Sequence, residues 1–487
     1  MSCIILAIVW SGYRAYTGVA LEDAWITFQH AENLASGSGY GFNPDTWVQG
    51  STTPLMTLVL AAFGVLLGPP SIPSVAVGLG LLAGLATLPP TLDLLERWRC
   101  PPAIAFGAAL GWMLTPRVVW SGVGGMETAA VACFMAWSLW AVEARRGGVL
   151  GASLASLVLT RPDGALWAVL LLATTWRRGR LWWRALPWAM PVVAWMAWAW
   201  WAFGTPIPHS IVAKAVVNPS ARSLVGGAWV AKRLVWMSEA WRSPFPAVSG
   251  LGTVLTFAGA SMAFRRPLAP VTAMFVVALP LALHLGRAPL FLWYPVPAAW
   301  ASCLLGALAT SALTERWRSD PRLWSWPLVV GLTGLVGLAA PARLTLEEQH
   351  NETMRAAVGT WLDEHAPSDA VVAMEAIGYQ GTRANRHVID LAGLVSPEVV
   401  AIARETPSNA RRFSRILDRH TPWAVVLRAW EIDRNRHFHG GRLFENPASR
   451  LDFEAHYREA TRFRAPFPER MRRNHTLVIY TRRREQP

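Results

Sequence analysis

The 487-residue chain carries 45 Lys and Arg against 31 Asp and Glu, a formal charge of +14, yet it is 53% hydrophobic and only 16% charged. Soluble domains average roughly 25% charged residues, so this profile, with 28 Trp and 35 Pro, excludes a disordered chain, a coiled coil and an ordinary cytosolic enzyme. About twenty apolar residues cross a bilayer, leaving room for about eleven spans and one soluble unit. An α-helical polytopic membrane protein is the expected class. Lys214 and Lys232 are the only lysines, and the Arg excess is read as membrane topology rather than a nucleic-acid face. Cys3, Cys100, Cys133 and Cys303 all lie in or beside apolar segments, which offers no disulfide or zinc framework.

The first apolar run is Ile4 to about Val19, read as a short span whose true start lies upstream of Met1, or else as a cleaved signal peptide ending near Ala20. Residues 21–71 then lack Lys and Arg and contain Glu22, Asp23, Glu32 and Asp45, so the positive-inside rule places them outside. Within this loop Pro54–Leu67 is apolar but too short to span, and is expected to be an interfacial or re-entrant helix. That choice also puts the Arg clusters at 97/99, 145/146, 177–184, 265/266 and 316–322 on the inner side. The remaining spans are expected at 72–95, 102–116, 128–143, 149–161, 164–176, 186–203, 244–263, 268–286, 290–312 and 323–341. The short pair around Arg161-Pro162-Asp163-Gly164 reads as a broken hairpin, tolerable at membrane depth where protein or water covers it.

Residues 342–487 are polar and Arg-rich. Strand-like runs at Val371–Met374, His387–Asp390, Ala424–Leu427 and Thr476–Tyr480, with a helical stretch at Pro397–Arg404, predict a small soluble α/β domain. An odd number of spans puts it outside. Two domains follow, 1–341 with its functional loop at 21–71, and 342–487.

Polar groups on the outer side carry the chemistry. The Glu22-Asp23 pair follows the first span directly. Such a carboxylate can take a proton from an incoming hydroxyl, and an acidic pair can instead hold a divalent cation (Mg or Mn) against phosphates. A solvated pair marking the helix exit is the bland alternative. Arg117, Arg161, Lys214, Arg222 and Arg287 are outer cations suited to an anionic headgroup, although snorkelling to membrane lipid explains any one of them. Glu127 opens a span, where a carboxylate also complements the helix dipole.

The segment EDAWITFQHAENLASGSGYGFNP…VQGSTTPL (Glu22–Leu55) resembles the first outer loop of bacterial polyprenyl-phosphate-sugar-dependent glycosyltransferases of the multi-span GT-C fold, and is similar to that of the mycobacterial terminal arabinofuranosyltransferases. GGMETAAV, LTRPDGAL, FGTPIPHSIVAKA, WYPVPA and AIGYQGTRANRHVIDLAGLVSPEV resemble later motifs of that family in the same order. The resemblance implies that Asp23 deprotonates the acceptor hydroxyl in an inverting displacement, with Glu22 assisting or binding a cation. It implies a donor-phosphate site of Lys214 with Arg161, Arg117 or Arg287, and a sugar or acceptor pocket of Glu127, His30, Asn43, Tyr294 and His209. The family's Arg-Tyr is here Gln29-His30, its Asn is His209 and its Arg before Tyr is Trp293.

The implied protein is a multi-pass enzyme of the bacterial inner membrane with a periplasmic C-terminal domain. It takes arabinofuranose or another pentose, with a hexose as alternative, from a polyprenyl-phosphate donor. The acceptor is an envelope glycan or glycoprotein, nucleic acid is no partner, and no cofactor beyond the divalent cation is implied. The rival readings are a non-enzymatic envelope scaffold and a lipid or polysaccharide transporter, the latter disfavoured by the lack of repeat symmetry.

Overall fold

The computed structural model describes residues 20–217, 246–285, 291, 293–316, 339–437, 441–466 and 476–483. In the apolar part of the chain Pro and Gly set most helix boundaries. Pro fits a first helical turn, where its missing N–H costs nothing, and Gly accepts the conformations that end a helix. Helix α1 (Glu22–Ala35) is followed by α2 (Pro54–Leu67), which matches the short apolar run of the first loop and stops at Gly68, φ 86°. One 3-10 turn leads into α3 (Ile72–Ala86) and α4 (Leu88–Arg97). Then come α5 (Pro102–Met113) and α6 (Pro116–Val123), bent by 51°. The next six are α7 (Thr128–Glu143), α8 (Gly147–Thr160), α9 (Gly164–Thr175), α10 (Gly179–Ala185), α11 (Ala189–Phe203) and α12 (His209–Val217). After them come α13 (Pro246–Ala263), α14 (Ala269–Leu285, with Pro280 inside) and α15 (Pro295–Arg316).

Among the described residues two helical stretches, Pro69–Arg97 and Pro295–Glu315, are long and apolar enough to cross a membrane, or three if the bent α5–α6 pair is one span. Six further apolar helices have 10–17 residues. At 1.5 Å per residue these fall short of a hydrocarbon core of about 30 Å. The short spans expected at 128–143, 149–161 and 164–176 coincide with α7, α8 and α9, whose lengths of 16, 14 and 12 residues leave the expected count of eleven unestablished among the described residues. The expected first span at Ile4–Val19 and most of the last at 323–341 lie outside the described residues.

Two long-range side-chain hydrogen bonds cross the helical body. Trp300 Nε1 donates to Thr91 Oγ1 at 3.0 Å and Trp167 Nε1 donates to Ser138 Oγ at 2.9 Å. Both indoles are fully buried, so these bonds satisfy N–H groups that lipid could not. Outside, Trp201 is 80% and Leu66 76% exposed. Among the described residues every large exposed apolar side chain except Leu451 falls between Trp47 and Leu313. Such a surface suits lipid rather than water.

After α16 (Ala339–His365) the pattern changes to strands β1 (Val371–Met374), β2 (His387–Asp390), β3 (Ala424–Arg428), β4 (Tyr457–Arg464) and β5 (Thr476–Arg482). Their order is β2-β1-β3-β5-β4, with β1 parallel to β2 and β3, and β5 antiparallel to β3 and β4. Helices α17 (Ile377–Ala384), α18 (Pro397–Glu405), α19 (Asn409–His420), α20 (Ala429–Asp433) and α21 (Pro447–His456) connect them. Strand residues alternate between two cores. Val372, Met374, Val388 and Val426 pack with Met354, Val358 and Leu362 of α16, whereas Ala373, Ile389, Val425 and Leu427 pack with Val399, Ile402, Phe413 and Ile416. The four strand-like runs of the sequence coincide with β1, β2, β3 and β5. Strand β4 has no counterpart in that reading, because an edge strand written Tyr-Arg-Glu-Ala-Thr-Arg-Phe-Arg carries charge rather than an apolar face.

Candidate active site

Helix α1 starts at Glu22, directly after extended Leu21 (φ −72°, ψ 148°), and both acids occupy its first turn, where they complement the helix dipole. Consecutive helical side chains point about 100° apart, so the two carboxylates diverge. Asp23 lines a cavity of about 220 Å³ together with Ile26 and Thr27, its neighbours three and four residues on. Glu22 turns instead to the C-terminal part of the chain. Its Oε1 accepts from Gly378 N at 2.6 Å, and its Oε2 accepts from Arg355 Nη1 at 3.0 Å and Tyr379 N at 3.2 Å. With both oxygens engaged there, the pair does not fit a cation shared between Glu22 and Asp23. Among the described residues no group of three or more His, Cys, Asp or Glu is arranged to hold a metal ion.

The cavity collects Asp23, Glu127, Arg161, Lys214 and Tyr294 from α1, α7, the α8–α9 break, α12 and the turn before α15. Glu127 immediately precedes α7 and is buried. Burial pushes its carboxyl above the usual range, Arg161 opposes that shift, and the nearby negative charges of Asp163 and Asp23 add to it. Arg161 is extended (φ −154°, ψ 137°) because Pro162 disfavours a helical residue before it. Its guanidinium donates through Nε to Asp163 Oδ1 at 2.9 Å and through Nη2 to Asp163 Oδ2 at 2.8 Å, and Nη1 lies 3.5 Å from Glu127 Oε1. The same group sits 4.9 Å over the ring of Tyr294. Lys214 stands one turn after Ser210 on the same face of α12, its Nζ 5.0 Å from the centre of the Phe291 ring.

Thr27, Ser51 and Thr53 form a buried hydroxyl cluster on the cavity wall. Ser51 Oγ lies 3.2 Å from Thr27 Oγ1, 2.9 Å from Thr53 Oγ1 and 3.2 Å from Thr57 Oγ1. The apolar side of the cavity is formed by Ile26, Met126, Leu283, Trp293 and Leu394, the last contributed by the loop after β2.

The other sequence candidates lie elsewhere. His30 is fully buried behind the wall, its Nδ1 2.7 Å from Ile26 O and its Nε2 3.2 Å from Val48 O. Two carbonyl partners favour the charged ring, but burial dominates and lowers its pKa to about 4. Asn43 pairs reciprocally with the edge of β2, donating Nδ2–H to Val388 O at 3.0 Å and accepting from Val388 N at 2.8 Å. His209 opens α12 with its backbone N–H on Gln49 O at 2.9 Å, and burial lowers its imidazole pKa. Arg117 is buried over the Trp120 ring at 5.4 Å and does not line the cavity. Arg287 lies outside the described residues. Asp163 and the hydroxyl cluster are the members that sequence reasoning did not single out. The position of Asp163 in the hairpin break two residues after Arg161 is the one local signal that marks it.

No curated protein matches this chain in sequence. A family described as a domain of unknown function (DUF8728) matches residues 342–480. Among solved structures, ArnT from Cupriavidus metallidurans bound to undecaprenyl phosphate is 13% identical, with 98% of this chain and 97% of that chain aligned at a TM-score of 0.59. The apo state of the same protein aligns over the same shares at 13% identity and a TM-score of 0.57. The arabinofuranosyltransferase AftD from Mycobacteria aligns over 99% of this chain and 41% of that one, at 16% identity and a TM-score of 0.43. At 13% identity the likeness to ArnT is one of fold, in keeping with the GT-C resemblance of the sequence motifs, and the chain is a mostly helical protein with a small sheet.

Proposed function

We propose that this protein is a membrane glycosyltransferase that moves a sugar from a polyprenyl-phosphate donor to a hydroxyl of an envelope glycan or glycoprotein. One observation carries this reading. A carboxylate, Asp23, shares a single cavity with two cations, Lys214 and Arg161, and with an apolar wall. Those are the elements that a phosphorylated lipid donor and a hydroxyl acceptor require. The full-length fold likeness to a protein crystallised with undecaprenyl phosphate supports the lipid class.

In the proposed reaction Asp23 accepts the proton of the acceptor hydroxyl while the acceptor oxygen bonds to the anomeric carbon. The bond from that carbon to the phosphate oxygen breaks on the opposite face, with inversion, and polyprenyl phosphate departs. Lys214 stabilises the charge that builds on the leaving phosphate. Arg161 already faces Asp163 and Glu127, so its larger contribution is to fix the pocket floor beside Tyr294. Cavities for drug-sized ligands run about 300–1,000 Å³, and 220 Å³ suits one sugar ring with its phosphate rather than an oligosaccharide. The donor sugar is arabinofuranose or another pentose on the strength of the loop motif, with a hexose as alternative. We place residues 1–341 in the bacterial inner membrane and 342–487 on its outer side.

The test is transfer in membranes from radiolabelled polyprenyl-phosphate sugars to total envelope acceptor, comparing wild type with Asp23→Asn. Transfer that falls at least about 10²-fold in the variant, with the protein still inserted, supports the reading. Equal rates would remove Asp23 from the mechanism, and no transfer from any donor would refute the activity.

A further inference from the structure

The two acids of the first turn of α1 are adjacent in sequence yet bound to different parts of the molecule. Glu22 accepts three hydrogen bonds, all from residues more than 300 positions away, on α16 and at the start of α17. Arg355 Nη1 reaches Glu22 Oε2 at 3.0 Å and Glu352 Oε1 at 2.6 Å, so it bridges the two carboxylates. Gly378 comes so close that a Cβ there would stand 2.0 Å from the carbonyl oxygen of Glu22. One turn along α1, Trp25 packs edge-to-face on Tyr379 with ring centres 4.6 Å apart. Charge-assisted bonds of this kind, partly shielded from solvent and in two cases made to the N-terminus of α17, are stronger than neutral ones and directional.

We propose that Glu22 is a positioning residue, neither a second base nor a cation ligand. It ties the first turn of α1 to the C-terminal part of the chain, and that tie sets where the carboxylate of Asp23, one residue on, stands relative to Lys214 and Arg161. The inference rests on the reading of Asp23 as the base. The C-terminal part is thereby a component of the site and not an appendage, since it also supplies Leu394 to the cavity wall. A misplacement of about 1 Å at a reacting group costs on the order of 10²-fold in rate. Loss of the tie thus falls on the chemical step and spares donor binding.

The decisive variants are on the far side of the tie, at a residue that does not line the cavity. In the purified full chain, with synthetic polyprenyl-phosphate-linked arabinofuranose or the hexose analogue as donor, Arg355→Met lowers kcat about 10- to 100-fold and leaves the donor KM within about 3-fold. Arg355→Lys, which keeps a cation between the two carboxylates, stays within about 3-fold of wild type. The double variant Glu22→Gln/Arg355→Met is slower by less than the product of the two single effects, because both remove the Glu22–Arg355 contact. Amide hydrogen exchange at Gly378, Tyr379 and the first turn of α1 speeds up in both single variants.

The proposal is overturned if Arg355→Met turns over like wild type while Glu22→Gln is inactive, which would put Glu22 itself on the reacting groups. It is equally overturned if Arg355→Lys fails as badly as Arg355→Met, which would mark a purely structural site. A wild-type protein that transfers no sugar would refute the enzymatic reading instead. In that event hydrogen exchange decides the tie alone, with unchanged protection at Gly378 and Tyr379 in Glu22→Gln refuting it.

Discussion

Arg161 grips Asp163 with two parallel hydrogen bonds, at 2.9 and 2.8 Å, across the proline that breaks the α8–α9 hairpin. The pair turns a helix break into a rigid floor for the cavity, because the guanidinium is also held by Tyr294 and Glu127. Arg161 is 3% exposed, so losing Asp163 leaves a buried charge with only the longer contact to Glu127 and the Tyr294 ring. Asp163→Ala is expected to destabilise the protein by about 3–5 kcal/mol. Asp163→Asn, which keeps one acceptor, costs less. Thermal unfolding of the two variants in detergent checks the order, and equal midpoints would show that the fork carries no stability.

Lys214 is the cavity cation for which no carboxylate partner is seen among the described residues, and it is written Lys in a chain that otherwise prefers Arg. Lys214→Met is expected to lower kcat/KM for the polyprenyl-phosphate donor about 10²- to 10³-fold, the range for removing one group that stabilises developing charge. Lys214→Arg retains part of the rate, since charge survives but the point-like geometry does not. Transfer kinetics at varied donor concentration decide it, and an unchanged rate in Lys214→Met removes Lys214 from the phosphate site.

Gly378 has no room for a side chain. Gly378→Ala drives a methyl group into the backbone of Glu22, a rigid neighbour, and overpacking of this kind costs about 1–3 kcal/mol. Denaturant unfolding should show the loss. The control Gly37→Ala meets nothing within 4 Å, but its φ of +78° adds strain, so Gly179→Ala, which is open on both counts, is the cleaner comparison.

Asp390 is fully buried at the end of β2, and burial raises its pKa to about 7, against the pull of backbone N–H groups from Ala392, Leu394 and Val395. Its pKa in the unfolded chain is about 3.9. Below that value both states are protonated and the full stability is present. As pH rises the unfolded state ionises first, so stability falls between about pH 4 and pH 7 and levels off above. Asp390→Asn should flatten that slope. Unfolding midpoints from pH 4 to 8 test it, and a wild type that gains stability over this window contradicts the assignment.

Much of this arrangement is legible from residue order alone. The bounds of α2 and α7 follow from apolar runs ended by Gly or charge, and β1 and β2 follow from short β-branched runs, because these are local properties of the chain. Asp23, Glu127, Arg161, Lys214 and Tyr294 were all marked by charge placement or motif, and all five line one cavity. What the chain order could not reveal depends on partners hundreds of residues away. Helical periodicity dictates that Glu22 and Asp23 point apart, but only the placement of α16 and α17 beside α1 decides that Glu22 meets Arg355 while Asp23 meets the cavity. His30 and Asn43 were polar residues in the right loop, and tertiary contacts turned them into struts. Strand β4 escaped because its pairing with β5 substitutes for the apolar pattern it lacks. The sequence determined which groups are available and which face of each element they share. The tertiary structure alone decided which of those faces meet, because a side chain's direction is a local property and its partner is not.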